Sequence, residues 1–345
     1  MKKNYLFLIL IAFISSCHKD KTPDLPTGKG VYIINEGNFN FGNGEVSFYD
    51  PNTNALTNNL FQSANGYSLG DVAQSMFIKD SIAFVIVNNS SKIEVVKLPS
   101  FQKIRTITIN GSSPRYVLPV SDSIAYMTEL YSNKIYVVNY LTGNLKTEIS
   151  IPQYTEHLVQ SGEYVFVEGK KIYSNPSAKC ALYRIRINDN TYIDKKEFVG
   201  DAEGIALDSN KFIWILTSAD SASATTAAIR VFDKDFNLLF TYSFNQLDDH
   251  PSMLQIDGAR GYVWYVLGKD IYKAGNGFFP GWPTIQTSAT NIYSTGVDPV
   301  TGDVYVSDAL DFVQQSRIYR YDKNGTLIHS FTAGIISGNF AFNHE

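Results

Sequence analysis

Short runs of alternating apolar and polar residues recur along most of the chain, and polar turns separate them. The stretch 123–149 shows one unit, in which the strand-like runs SIAYMTEL, KIYVVNY and LKTEI follow one another. Runs that match KIYVVNY begin at residues 45, 92, 134, 181, 228, 270 and 317, so successive copies lie 42 or 47 residues apart. Seven copies near one period predict a repetitive β architecture, either a propeller or a solenoid.

The length of the repeat favours a propeller. About 45 residues hold four short strands with their turns, which is one blade, whereas a solenoid coil uses a shorter repeat. The C-terminal run SGNFAFNHE resembles a lone first strand, and GVYIINEG near the N-terminus matches the second strand of the other copies. We therefore predict an all-β fold in one domain, 29–345: a seven-bladed propeller of four-stranded antiparallel blades. Its C-terminal strand is expected to pair with the N-terminal blade and close the ring.

The first 28 residues differ from the rest of the chain. Two lysines precede an apolar run at residues 5–14 that is too short to span a membrane as a mature helix, and two serines then lead to Cys17. This order resembles a bacterial lipobox, which implies a signal peptide at residues 1–16 and lipidation of Cys17. An ordinary secretory signal with an incidental cysteine is the alternative. Residues 17–28 are polar, contain two prolines and are expected to form a flexible tether.

Charge and cysteine content exclude some classes of protein. The formal net charge of −4 shows no basic footprint for nucleic acid, so no such partner is expected. Only two cysteines exist, and lipidation of Cys17 leaves Cys180 without a disulfide partner. We expect Cys180 to be buried and unreactive.

Two motifs connect the repeats with a known group of propellers. GVDPVTGDVYVSD at 296–308 and SFYDPNTN at 47–54 resemble the YncE-like seven-bladed propellers. Together with the lipobox, the opening GVYIINEGNF resembles Bacteroides-type surface lipoproteins that sit on outer-membrane transporters, one class of which captures cobalamin. The resemblance implies a TonB-dependent transporter as partner and a nutrient such as a corrinoid as ligand. Charged residues 19–21 resemble surface-export signals, so an outer-membrane, lipid-anchored, cell-surface location is expected.

A propeller gathers two sets of loops on one rim, namely the connections into each first strand and those from second to third strand. Ligands of propellers usually bind at this rim near the axis. The loops are rich in aromatic and amide side chains, which suit a bulky, mostly neutral ligand. The alternative is that Asn and Asp are present because turns need them. The candidate ligand-binding residues are Phe39, Phe41, Tyr67, Asn89, Arg115, Tyr131, His157, His250 and Tyr293.

Motifs for catalysis are missing from the sequence. It contains no GxSxG, P-loop or GxGxxG pattern, and its five histidines lack metal-ligand spacing. We therefore expect a binding protein without catalytic residues, metal or cofactor. One alternative is a propeller hydrolase or lactonase with an axial metal, and another is a protein scaffold or adhesion module. The enzyme would need carboxylates that converge on the axis, for which the candidates are Glu156, Glu203, Asp249 and Asp308.

The loop 275–283 of the sixth repeat carries three aromatic residues: Phe278, Phe279 and Trp282. Its place before an outer strand predicts that it lies on the rim opposite the candidate ligand site. Exposed aromatic residues in such a loop indicate a partner surface. The alternative is that they pack over the edge of a blade.

Overall fold

The computed structural model describes residues 29–344 except 173, 176, 177, 276 and 278. The predicted signal peptide, Cys17 and the tether lie outside these residues. Within the described part, 28 strands form seven four-stranded antiparallel sheets. The prediction of a seven-bladed propeller with four strands per blade is confirmed.

The first four blades contain the following strands. Blade one has β1 (Gly30–Asn35), β2 (Glu45–Asp50) and β3 (Ala55–Thr57). Blade two has β4 (Ala73–Lys79), β5 (Ile82–Val87), β6 (Lys92–Lys97) and β7 (Gln102–Thr108). Blade three has β8 (Pro114–Pro119), β9 (Ile124–Glu129), β10 (Lys134–Asn139) and β11 (Asn144–Ser150). Blade four has β12 (Thr155–Ser161), β13 (Tyr164–Gly169), β14 (Cys180–Arg186) and β15 (Thr191–Phe198).

The remaining strands complete the circle. Blade five has β16 (Ala202–Leu207), β17 (Ile213–Thr217), β18 (Ala228–Phe232) and β19 (Leu238–Ser243). Blade six has β20 (Pro251–Asp257), β21 (Tyr262–Leu267), β22 (Asp270–Gly275) and β23 (Ile285–Gln286). Blade seven has β24 (Ile292–Val297), β25 (Val304–Asp308), β26 (Gln315–Tyr321) and β27 (Leu327–Ile335). The last strand, β28 (Ser337–Asn343), is the innermost strand of blade one.

The ring closes as predicted, because β28 pairs antiparallel with β1. Ala341 lies opposite Tyr32, and Ser337 lies opposite Asn35. The buried amide of Asn35 fixes this junction: its Oδ1 accepts from the Ser337 hydroxyl at 2.5 Å, and its Nδ2 donates to the Ser47 hydroxyl at 2.8 Å. One side chain thereby joins both ends of the chain.

The apolar core lies between neighbouring blades. At the closure, Tyr305 of blade seven packs against Phe340 of β28 with ring centroids 5.9 Å apart. Gly296 on β24 allows this approach, because a Cβ there would stand 2.8 Å from the Cβ of Phe340. Face-to-face packing of aromatic and β-branched side chains holds each inner strand in place, and these strands surround the axis.

Each inner strand is irregular near its start. All seven pairings between an inner strand and its neighbour contain a register shift within the first few residues of the inner strand. Such bulges bend a strand and redirect its side chains. We call the rim at which the inner strands begin the upper rim, and the opposite one the lower rim.

One short helix departs from the all-strand expectation after the signal peptide. α1 (Leu60–Asn65) buries Leu60 and Phe61, and ends at Gly66, whose N–H donates to the carbonyl of Gln62 at 2.8 Å. Six residues are too few to show a helical spacing of apolar positions, so the sequence pattern did not indicate it. Single 3₁₀ turns occur at Asn88–Ser90 and Ser221–Ser223.

Candidate binding site

A cavity of about 540 Å³ lies on the propeller axis toward the upper rim. Its walls come from the first residues of the inner strands, where the bulges occur. The second residue of every inner strand occupies an equivalent position, and we call these seven residues the axial set. They are Gln74, Arg115, Glu156, Glu203, Ser252, Tyr293 and Gly338.

Arg115 and Glu156 form an ion pair between blades three and four. Arg115 Nε donates to the two carboxylate oxygens of Glu156 at 3.0 and 2.9 Å. Its Nη1 donates to Oε1 of Gln74 in blade two. Charge-assisted hydrogen bonds are strong and directional, so this part of the wall is rigid. The charges of Arg115 and Glu156 neutralise each other.

His157, the next residue on β12, is held from two sides. Its Nδ1 lies 2.7 Å from Oε2 of Glu168, and its ring centroid lies 4.1 Å from that of Tyr116. Burial acts to raise the pKa of the Glu168 carboxyl, but the nearby His157 and Lys170 outweigh burial and hold this pKa below its usual value. Glu168 therefore remains charged and orients the imidazole.

Lys170, which follows β13, lies between two carboxylates and offsets part of their negative charge. Its Nζ lies 3.6 Å from Glu168 Oε1 and 3.5 Å from Asp201 Oδ2, and it donates to the carbonyl of Ala202. Burial acts to lower the pKa of Lys170, but these carboxylates outweigh it and raise the pKa above its usual range. The ammonium is thus a fixed positive charge in the wall.

Two carboxyl groups at the site form no ion pair with the described residues. Glu36, in the loop after β1, accepts a hydrogen bond from the Tyr293 hydroxyl at 3.0 Å, and burial raises its pKa to about 7. Glu203 makes no hydrogen bond or ion pair with the described residues, and burial raises its pKa to about 7 as well. Near neutral pH each group exchanges readily between its neutral and charged forms.

Exposed aromatic side chains stand on the same rim as the cavity. Phe39 and Phe41 in the β1–β2 loop are 64% and 77% exposed, and Tyr131 in the β9–β10 loop is 80% exposed. Phe312 continues this surface toward the cavity, with its ring centroid 5.7 Å from that of Tyr293. A polar cavity and an apolar rim therefore lie side by side.

The sequence was compared with known proteins. It matches the family described as Domain of unknown function (DUF5074) over residues 29–335. The chain belongs to this family. No curated protein matches it. The similarity of this DUF5074 domain to other propellers therefore comes from the comparison with solved structures.

Several solved structures share the fold at low identity. A quinonprotein alcohol dehydrogenase-like protein from Bacteroides thetaiotaomicron is 15% identical with a TM-score of 0.72, over 92% of this chain and 79% of that one. Virginiamycin B lyase from Staphylococcus aureus is 14% identical with a TM-score of 0.61, over 79% and 89%. A functionally unknown protein from Desulfotomaculum acetoxidans is 14% identical with a TM-score of 0.63, over 92% and 99%. At these identities the likeness establishes the propeller fold alone.

The nine candidate ligand residues occupy different places in the DUF5074 domain. Arg115, His157 and Tyr293 line the axial cavity. Phe39, Phe41 and Tyr131 stand on the upper rim outside it.

Asn89 is a contact between loops. Its Nδ2 donates to Asp71 Oδ2 at 2.6 Å and to Asn40 Oδ1 at 3.0 Å, so it holds the β1–β2 loop against blade two. This is the turn-stabilising role that amides often have. His250 is exposed just before β20 and is not part of the cavity wall.

Tyr67 lies away from the cavity, which corrects its predicted place on the upper rim. Its ring packs edge-on against Phe61 with centroids 5.3 Å apart, and the Lys103 ammonium lies 5.2 Å from its centroid. Lys103 is near the start of β7, at the lower end of blade two. The unforeseen α1 is the reason, because it carries the chain down the outer wall before it returns to β4.

The four carboxylates suggested as ligands for an axial metal do not converge on one point within the part of the chain that the structure describes. Glu156 and Glu203 line the cavity, but Asp308 is buried and accepts backbone N–H groups from Thr290 and Asn291 at 2.8 Å each. Asp249 caps its own turn. Among the described residues no group of three or more His, Cys, Asp or Glu side chains is arranged to hold a metal ion.

Two other predictions concern residues away from the axis. Phe279 stacks on Tyr242 of blade five with ring centroids 3.8 Å apart, so it packs over a blade edge, while Trp282 is 66% exposed. Phe278 lies outside the described residues.

Cys180 is buried as expected, and burial raises the pKa of its thiol to about 12. In the described ranges no helix is both long and apolar enough to cross a bilayer.

Proposed function

We propose that the protein is a non-catalytic binding protein that takes up one bulky ligand at the upper rim. The observation that carries this proposal is that the axial cavity opens on the rim that carries exposed aromatic side chains, one of which, Phe312, contacts Tyr293 of the cavity wall. The polar part of the ligand enters the cavity, and its apolar face covers Phe39, Phe41 and Tyr131. Sites of this kind combine a concave apolar surface with a few polar groups that fix orientation.

The ligand class and the location follow from the N-terminal sequence. The lipobox and the opening GVYIINEGNF resemble transporter-associated surface lipoproteins. We propose that the protein is anchored through Cys17 at the outer membrane, binds a nutrient such as a corrinoid and passes it to a TonB-dependent transporter.

The double variant Phe39→Ala/Tyr131→Ala is expected to weaken binding strongly. Each aromatic side chain that packs on a ligand contributes roughly 1–3 kcal/mol, and these two stand on different blades. Calorimetry with cobalamin and a panel of oligosaccharides measures the effect. Leu141→Ala is the matched control, because Leu141 is exposed in a turn on the lower rim. Failure of every panel member to bind the wild type would leave the scaffold as the surviving interpretation.

Cys17→Ser is expected to release the protein from membranes. A diacyl anchor on Cys17 supplies the membrane affinity in our proposal, and its removal leaves only the propeller domain. Membrane fractionation and labelling with palmitate measure the change. Retention in the membrane fraction by a variant that is still cleaved, or palmitate on that variant, would contradict the lipid anchor.

A second candidate function, an enzyme that uses acid–base chemistry, is favoured by the His157–Glu168 pair. A carboxylate at Nδ1 leaves Nε2 of the imidazole available to a bound ligand, which is how general bases are often oriented. Mass analysis of ligand recovered after long incubation decides between the two functions. Unchanged ligand supports the binding protein, and a product that wild-type protein forms establishes the enzyme.

A further inference from the structure

The charges around the axial cavity do not balance. Arg115, Lys170 and, when protonated, His157 face five carboxyl groups: Glu36, Glu156, Glu168, Asp201 and Glu203. Arg115 is committed to Glu156, and Lys170 lies between Glu168 and Asp201. Tyr293 donates a hydrogen bond to Glu36 from its hydroxyl, which carries no charge. Glu203 is the carboxyl group that these contacts leave without a partner.

A second polar side chain near Glu203 also makes no hydrogen bond with the described residues. The next member of the axial set is Ser252 on β20, which lines the same cavity. Its hydroxyl makes no hydrogen bond with the residues that the structure describes. A partly buried carboxylate and hydroxyl at equivalent positions of neighbouring inner strands, each without a hydrogen bond to the described residues, can both accept from a group that donates several hydrogen bonds.

We propose that the ligand group that enters the axial cavity is a cationic nitrogen, a protonated amine or guanidinium, held by Glu203 and Ser252. This inference rests on the proposed binding role of the cavity and specifies the ligand group as an amine or guanidinium, which cobalamin lacks. An anion would meet an excess of carboxylates, while a neutral group would leave the Glu203 charge unpaired in a partly dry site. A cation reduces the excess of negative charge and gives both side chains a donor.

Binding of a cation at Glu203 is linked to pH. Burial raises the pKa of free Glu203 to about 7, and the bound cation requires the ionised form. Affinity should therefore fall as pH decreases through 7, by about tenfold between pH 8 and pH 6. The ionisable groups facing Glu203 are Glu156 and His157 on β12, Glu168 and Lys170 around the end of β13, and Asp201 just before β16. On β20, Ser252 and Met253 do not titrate.

Three indole compounds of similar size test the charge preference on the full chain by calorimetry at pH 8 and pH 6. Tryptamine is cationic, indole-3-ethanol is neutral and indole-3-propionate is anionic. We expect tryptamine to bind at least tenfold more tightly than the alcohol at pH 8, and the anion to show no binding. Equal affinities for tryptamine and the alcohol, or no tryptamine binding at millimolar concentration, would overturn the inference.

Glu203→Gln is expected to remove both the preference for tryptamine and its pH dependence. The amide keeps the size of the side chain and removes a charge that burial opposes, so the variant should fold, which a melting curve verifies. Glu163→Gln, in an exposed turn on the lower rim, is the matched control and should retain both properties. A tryptamine preference that persists in Glu203→Gln overturns the assignment to this residue.

The experiment separates this inference from the proposed function. Cobalamin or an oligosaccharide that binds through Phe39 and Tyr131, with equal affinity for wild type and Glu203→Gln, supports the proposed function and overturns the cationic group. Tryptamine binding that depends on Glu203, without binding of any bulky ligand, supports the cationic site and overturns the bulky nutrient.

Discussion

Deletion of residues 336–345 is expected to abolish cooperative folding of the propeller. β28 is the innermost strand of blade one, and its pairing with β1 joins the N-terminal and C-terminal parts of the described chain. Its loss leaves β1 with an open edge on the axis and removes Phe340 from its contact with Tyr305. Loss of one buried phenylalanine alone costs roughly 3–5 kcal/mol, a large part of the stability of a typical domain.

Thermal unfolding followed by circular dichroism measures this effect. A chain that ends at Asn343 is the matched control, because it keeps all of β28 and should unfold close to the full chain. A synthetic peptide of residues 336–345, added to the truncated protein, should restore a cooperative transition. Unfolding of the truncated protein at the temperature of the full chain would show that closure contributes little to stability.

Arg115→Met is expected to destabilise the propeller by roughly 3–5 kcal/mol at pH 7. The substitution leaves the buried carboxylate of Glu156 without its cation, and an uncompensated buried charge is costly. The double variant Arg115→Met/Glu156→Gln should recover much of the lost stability, since neither charge then remains.

Urea unfolding of the single and double variants gives the coupling between the two residues. Arg186→Met is the matched control, because Arg186 pairs with Asp189 on the surface and should show no measurable change. A double variant as unstable as Arg115→Met alone would mean that the arginine acts by packing and by its bond to Gln74.

Much of the fold could be predicted from the sequence because a repeat gives the same signal seven times. Single runs such as ALT at Ala55–Thr57 or IQ at Ile285–Gln286 are too short to identify as strands on their own. The period of 42 or 47 residues, with four strands in each unit, predicts an outer strand at these places. The exception, α1, occurs once and so received no support from the other copies.

The site was harder to predict because its residues come from irregular positions. Arg115, His157 and Tyr293 were found from the loops that lead into the inner strands. Glu168 was overlooked because it lies within a strand that otherwise reads as buried and apolar, and Glu36 because it directly follows one. Each inner strand carries a bulge near its start. If the seven inner strands are aligned at their first residue, the members of the axial set therefore fall at the same position of the alignment.

The position of the first strand in the propeller bears on how the cavity of a lipid-anchored molecule is oriented relative to the membrane. Gly30 begins β1 opposite Asn343, at the lower end of the innermost strand, whereas the cavity is on the upper rim. A lipid on Cys17 would thus hold the domain from below, with the cavity turned away from the membrane. Residues 18–29 can span at most about 40 Å when fully extended. On our proposal, delivery to a transporter in the same membrane would require the propeller to reorient on this segment, so the length of the segment should limit the rate of transfer.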